Sequence, residues 1–265
     1  MSECYAVMPF IDYVEACDAI RMKIDETDVI KSGELPQKID KVYEAGLQAA
    51  KDRYWDELQD YGKRKSYFGF FAGASWTQER LNNLKYPIVF PKETSTLDRN
   101  CDSMFFRLNI RADGRIDLSH VCSMIDFSGC MTANQVFYNA RAENITCDFS
   151  NCTNLKETFA LGDGGSLENI TLKVSEKCTK YTNTFYYCNP TNLIFTDDSV
   201  IAASVSFAQS SKLSDESVDS MVHALKDLTG ATSQTLTVHA NVYNRMVERG
   251  VDLLVTAKNW TLAKA

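Results

Sequence analysis

With 265 residues, 45% of them hydrophobic and 11% aromatic, the chain carries enough apolar surface for one large domain or two smaller ones, and too much for a disordered chain. Its 28 Lys and Arg against 35 Asp and Glu leave a net charge of −7, a sign that opposes phosphate tracking and excludes nucleic acid as the main partner. No run approaches the roughly 18 uninterrupted apolar residues of a membrane span.

The opening Met1-Ser2-Glu3-Cys4-Tyr5 has neither the basic flank nor the apolar run of a secretory signal, so the expectation is a chain neither exported nor anchored in a membrane. Residues 13–24 carry Ala16, Ile20 and Ile24 at four-residue steps and predict a short helix, ended by Lys31-Ser32-Gly33. A longer helix is predicted over 36–61, with Pro36 in its first turn and Gly62 just past its last apolar position. Along it Tyr43, Leu47, Ala50, Tyr54, Leu58 and Tyr61 form a stripe with coiled-coil potential. That stripe packs either on the rest of the chain or on sister copies or a scaffold. From 67 to 91 the chain is dense in aromatics, Tyr67, Phe68, Phe70, Phe71, Trp76, Tyr86 and Phe90, expected to cover the N-terminal end of the body formed by the second half of the chain.

That second half is repetitive. Cys130, Cys152, Cys178 and the apolar stand-in Val200 each precede a phenylalanine, Phe137, Phe159, Phe185 and Phe207, by seven residues, and the units step by 22, 26 and 22. Asp-Phe-Ser-x-Cys occurs at 126–130 and 148–152, and Glu-Asn-Ile-Thr at 143–146 and 168–171. The longer unit holds Gly162-Asp163-Gly164-Gly165, expected to bulge out as a loop. A period in the low twenties leaves room for one strand and one return turn, the economy of a leucine-rich-repeat-like solenoid. Strands are predicted at 144–147, 170–174 and 193–195, with the recurring Phe and Cys turned inward. A cap is expected to continue the same sheet. It comprises a helix over 217–228 with Ser214 as N-cap, ended by Gly230, a strand at 235–238, a helix over 242–257 interrupted near Gly250, and a strand at 260–262.

Catalytic and metal motifs are scarce. His120, His223 and His239 stand in no zinc-binding spacing, and the only close pair, His120-x-Cys122, falls in an apolar setting that favours a structural role. Nine Cys, an odd number, read as reduced and mostly buried thiols. The Cys spacings match neither a zinc knuckle nor a redox motif, and the glycine run lacks the Lys-Ser/Thr of a phosphate loop. Asp197-Asp198 are adjacent, so on a strand they would face opposite ways and could not flank one bond; a solvated turn explains them better. Of four Asn-x-Ser/Thr sequons, at Asn144, Asn151, Asn169 and Asn259, two belong to the repeated Glu-Asn-Ile-Thr and record the repeat. No catalytic, cofactor-binding or metal residue is assigned.

Several segments resemble a group of prophage-encoded virion proteins of gut bacteria, tail or baseplate components with BspA-like leucine-rich repeats. Asp18-Ala19-Ile20-Arg21-x-Lys23 with Ile30-Lys31-Ser32-Gly33 is similar to their N-terminal segment. Tyr54-Trp55-Asp56 through Gly62-x-Arg64, then Tyr67 and Phe71-Ala72-Gly73-x2-Trp76, resemble their aromatic block. Residues 148–155 and Phe185-Tyr186-Tyr187-Cys188 look like their repeats, and Leu213-Ser214-x-Glu216-Ser217 with Lys258-Asn259-Trp260-Thr261-Leu262-Ala263 like their closing segment. In such sequences a Gly often precedes the final Trp; Asn259 takes that place here and suits the same left-handed turn.

The expected fold is therefore α+β: N-terminal helices, with coiled-coil potential, followed by a leucine-rich-repeat-like β-solenoid and a strand-and-helix C-terminal cap. The expected domains are a helical attachment and oligomerisation region at 1–64, an aromatic connector and N-terminal cap at 65–97, the repeats at 98–213 and the cap at 214–265. The resemblance implies a non-enzymatic tail, baseplate or fibre protein, assembled in the host cytoplasm into a virion as a homo-oligomer among other virion proteins. Its repeat face would meet a host-surface glycan or protein. A bacterial surface adhesin of the same repeat class and a tail-associated polysaccharide depolymerase are the alternatives; the first needs export, and the second needs a convergent acid and base pair.

Overall fold

The computed structural model describes residues 71–72, 77–82, 87–90, 99–108, 114–162 and 164–265. The chain divides into two compact units, Met1–Tyr61 and Gly62–Ala265, and the described residues all belong to the second. The helices predicted over 13–24 and 36–61 lie outside them, as do Tyr67, Phe68, Phe70, Trp76 and Tyr86 of the aromatic block.

In chain order the elements are α1 (Gln78–Asn82), β1 (Ile88–Val89), β2 (Ile116–Asp117), α2 (Ser119–Ser123), β3 (Ile125–Asp126), β4 (Arg141–Glu143), β5 (Ile145–Asp148), β6 (Ser166–Leu167), β7 (Asn169–Lys173), β8 (Asn192–Phe195) and β9 (Val205–Phe207). They are followed by α3 (Asp215–Ala224), β10 (Gln234–Val238), α4 (Ala240–Glu248), α5 (Val251–Ala257) and β11 (Trp260–Lys264).

The interior follows from the spacing. Successive phenylalanines align so that Phe71, Phe105, Phe137, Phe159 and Phe185 stack ring on ring, with centroids 4.8, 5.0, 5.4 and 5.5 Å apart and planes within 6° of parallel. Phe207 closes the column at 4.7 Å, tilted by 33°. The backbone locks the same register: the Phe137 N–H donates to the Thr158 carbonyl at 2.8 Å, and the Phe159 N–H to Thr184 at 2.9 Å. Cys101, Cys130, Cys152 and Cys178 are all buried, and the Cys152 thiol donates to the Cys130 carbonyl of the preceding turn at 3.5 Å. The expected stand-in Val200 does not extend this set: Val200 is half-buried, and its neighbour Ile201 enters the core instead, bridging to Leu225.

The expectation of a continuous leucine-rich-repeat-like solenoid with a cap on the same sheet is overturned. The architecture is mixed, with four small parallel sheets of two or three strands, ordered β1-β3, β2-β4-β6, β5-β7-β8 and β11-β10-β9. Two local causes keep the sheets apart. Asn144 takes a left-handed backbone (φ 48°) between β4 and β5, so one extended stretch is broken into strands of two different sheets. At β8 the pairing stops because α3 lies alongside: the Ser217 hydroxyl accepts the Leu193 N–H at 2.9 Å and the Ser220 hydroxyl that of Phe195 at 3.2 Å. Side-chain oxygens thus satisfy an edge that another strand would otherwise cover.

The cap sheet is consequently separate, with β10 between β9 and β11 in parallel register, Leu236 opposite both Val205 and Leu262. Helix α3 starts where Ser214 accepts the Ser217 N–H at 3.2 Å, but it ends at Ala224, before the predicted 228, because Leu225 is extended. There Lys258 donates to the carbonyls of Val222, His223 and Leu225 at 2.8 to 2.9 Å, closing the helix C-terminus. Gly250 separates α4 from α5 with φ 71°, and Asn259 turns left-handed (φ 59°) before β11.

Candidate recognition surface

In most turns the residue after the inward phenylalanine is at least partly exposed. After Phe105, Phe137, Phe159, Phe185 and Phe207 these are Phe106, Tyr138, Ala160, Tyr186 and Ala208. Phe106 and Tyr138 stack at 5.3 Å, and Ala160 is buried. Gly162 and Gly165 approach the preceding turn closely: the Gly162 N–H donates to the Asn139 side chain, and a Cβ on Gly165 would lie 3.0 Å from the Asn139 Cα.

Beyond these glycines the surface changes character. Tyr186 is 46% exposed and Tyr187 57%, with ring centroids 4.3 Å apart and planes at 60°. Tyr187 stands in the left-handed region (φ 54°), a conformation that bulky residues rarely adopt. Equivalent places in earlier turns are held by Arg107 (φ 56°) and Asn139 (φ 55°), and Asn139 turns its side chain inward to the glycine loop. Tyr187 instead projects its ring into solvent. Its N–H is fixed by the Gln209 side-chain oxygen at 2.5 Å, one turn further on. Asn189 donates to the Ser211 hydroxyl at 3.2 Å and accepts the Lys212 N–H at 2.9 Å. A hydrogen bond with Tyr187, and the field of that second phenol, hold the Tyr186 hydroxyl above its ordinary pKa.

Asn183, whose carbonyl accepts the Tyr186 N–H at 3.1 Å within the same turn, lines a cleft of about 430 Å³. Thr179, Thr182, Asn183, Ser204, Ser206 and Gln234 are among the residues that line it. Its floor is partly ordered: Gln234 accepts from the Ser204 N–H at 3.0 Å and the Ser204 hydroxyl at 2.8 Å. Lys180 is the one charged residue in the lining; beyond it no charged residue occurs from Tyr181 to Thr196, and from Ser199 to Ser214 Lys212 is the only one, in a chain that is 24% charged. A second cleft, of about 470 Å³ between α3 and α5, is lined by Asp219, Val222, His223, Asp227, Val251, Leu254, Ala257 and Lys258. Its ionic groups are engaged elsewhere: Asp219 by Arg249 at 2.6 Å and Lys258 by the three helix-end carbonyls.

The residues singled out for chemistry are dispersed. His120 and Cys122 share α2 two residues apart, which sends their side chains to opposite sides; Cys122 is buried and His120 half-buried. His239 caps α4, its Nδ1 accepting the Asn241 N–H at 3.1 Å, and His223 lines the second cleft. Among the described residues no group of three His, Cys, Asp or Glu is placed to hold a metal ion. Asp197 and Asp198 lie in an exposed turn, where Asp198 pairs with Lys173. The sequon asparagines are committed to internal hydrogen bonds. Asn192, Asn169 and Asn144 form an amide ladder with links of 2.9 and 3.0 Å, Asn151 donates to the Ser128 carbonyl at 2.6 Å, and Asn259 to Leu228 and Ala231.

Sequence reasoning passed over Tyr186, Tyr187 and Gln209 as surface residues. The signal was present: of three consecutive aromatics at 185–187 only one could occupy the core column, and the flanking stretch carries no charge. No protein-family model, curated protein or solved structure matches the chain.

Proposed function

We propose that the chain is a non-enzymatic structural and recognition protein of a phage particle, a tail, baseplate or fibre component. On this reading the 1–64 region attaches it to the virion or to sister copies, and the second unit presents its layered surface to a host-surface partner. The virion setting rests on the resemblance carried by the N-terminal, aromatic, repeat and closing segments. The recognition role rests on one observation: two tyrosines held in solvent beside a polar cleft, on a body whose column of stacked rings makes that surface rigid. The division of the chain after Tyr61 agrees with a separate attachment unit.

Cross-linking and electron microscopy of purified particles test the reading. The expected result is the protein in the particle, cross-linked to other virion proteins. Recovery only as a free cytosolic monomer would refute it, and display on intact bacteria would establish the adhesin alternative. The mass of the intact protein beside a truncation starting at Lys65 tests oligomerisation; equal monomeric masses would reject that role for 36–61.

A further inference from the structure

We infer that Tyr186 and Tyr187, with the cleft that begins three residues away at Asn183, form a binding site for an oligosaccharide; the inference deepens the recognition reading above and rests on it. A sugar ring offers two kinds of surface: an apolar face of axial C–H groups and a rim of hydroxyls. The first needs an exposed aromatic ring, the second a set of amide and hydroxyl groups able both to donate and to accept. Both are present here. The two tyrosine rings are exposed, and their mutual tilt of 60° makes a corner rather than a flat shelf, so that one ring can underlie a sugar while the other meets its edge.

The polar partners sit within one turn: Gln209 under Tyr187, Asn189 with Ser211, and the hydroxyls and amides of Thr179, Thr182, Asn183, Ser204 and Ser206 in the cleft. The cleft's 430 Å³ suits one or two sugar units. Charge narrows the ligands from one side: no carboxylate lines the cleft to hold a basic peptide, while Lys180 in its lining and Lys212 beside Asn189 add cationic groups to the hydroxyls and amides. The left-handed backbone at Tyr187 belongs to this place in the turn, shared with Arg107 and Asn139, and the hydrogen bond from its N–H to Gln209 holds it.

The test uses the full-length chain with cellotriose, chitotriose and mannotriose as probes in saturation-transfer NMR. Transfer from the protein to the ring-face protons of at least one trisaccharide is expected. Tyr187→Ala should weaken that binding at least tenfold, Tyr187→Phe less than threefold, and the distant double variant Leu253→Ala/Leu254→Ala not at all. Because both tyrosines are exposed, Tyr186→Ala/Tyr187→Ala should unfold at the same temperature as the natural protein. Absence of transfer to all three sugars, or undiminished transfer to the folded double tyrosine variant, would overturn the site. So would hydroxyl-radical footprinting of purified particles that finds both rings covered by another protein. Absence of the natural protein from particles would refute the virion assignment alone, because the sugar signal is read on isolated protein.

Discussion

Replacing Phe159 by alanine removes the ring at the centre of the phenylalanine column. Phe159 is 0% exposed and lies between Phe137 at 5.4 Å and Phe185 at 5.5 Å, both nearly parallel to it, with Phe149 at 6.5 Å on a third side. Truncating a buried phenylalanine costs about 3–5 kcal/mol through lost transfer free energy and the cavity left behind. Two parallel ring pairs, each worth about 0.5–1.5 kcal/mol beyond the area they bury, place this site at the upper end, near about 4–5 kcal/mol. Phe159→Leu keeps most of the volume and loses mainly the ring pairing, so its cost should be about 1–2 kcal/mol. Urea unfolding followed by circular dichroism measures both, provided the transition is two-state and its slope is unchanged. A double cycle with Phe137→Leu should return a coupling of about 0.5–1.5 kcal/mol. A loss below about 1 kcal/mol for Phe159→Ala, the range of ordinary surface changes, together with zero coupling, would refute the stacked column as the source of stability.

Gly129→Ala should destabilise by about 1–3 kcal/mol through overpacking, because the new methyl would lie 2.5 Å from the Phe90 carbonyl oxygen and 2.6 Å from its Cβ; unchanged thermal unfolding would contradict that contact. The seven described cysteines are buried, and burial raises the thiols of Cys101, Cys147 and Cys152 and lifts that of Cys130 to about 11. Iodoacetamide at pH 8 followed by peptide mass mapping should therefore leave these cysteines unlabelled until urea unfolds the chain, and rapid native labelling of Cys130 or Cys152 would show that the interior is open. Asp198 is held below its ordinary 3.8 first by the hydrogen bond from Lys173, then by that from Thr196. A depressed carboxylate contributes stability that is complete above the unfolded value and is lost as pH falls through the folded one. Carboxyl NMR titration should find Asp198 shifted down in the natural protein and moved back up in Lys173→Ala; no difference between the two would dismiss the pair.

Periodicity alone identified which side chains enter the core at Phe137, Phe159, Phe185 and Phe207, because a residue returning every 22–26 positions can be buried only by its own counterparts in adjacent turns. The short apolar segments located β5, β7 and β8 to within a residue or two, local chemistry marked Ser214 as a helix cap and an interruption near Gly250, and the resemblance to the virion proteins suggested the left-handed turn at Asn259. Phe71 and Phe105 escaped that reading because the intervals to the next ring are 34 and 32 residues, outside the period, and only three-dimensional alignment brings them into the column. How strands are shared among sheets was equally illegible. A strand's neighbour is set by long-range hydrogen bonding, and here a left-handed Asn144 and two serines of α3 divide what the pattern presents as one sheet. The exposed tyrosine corner was half legible: three aromatics in a row cannot all enter one column, but the direction in which the turn points after Phe185, and so the exposure of both Tyr186 and Tyr187, belongs to tertiary structure.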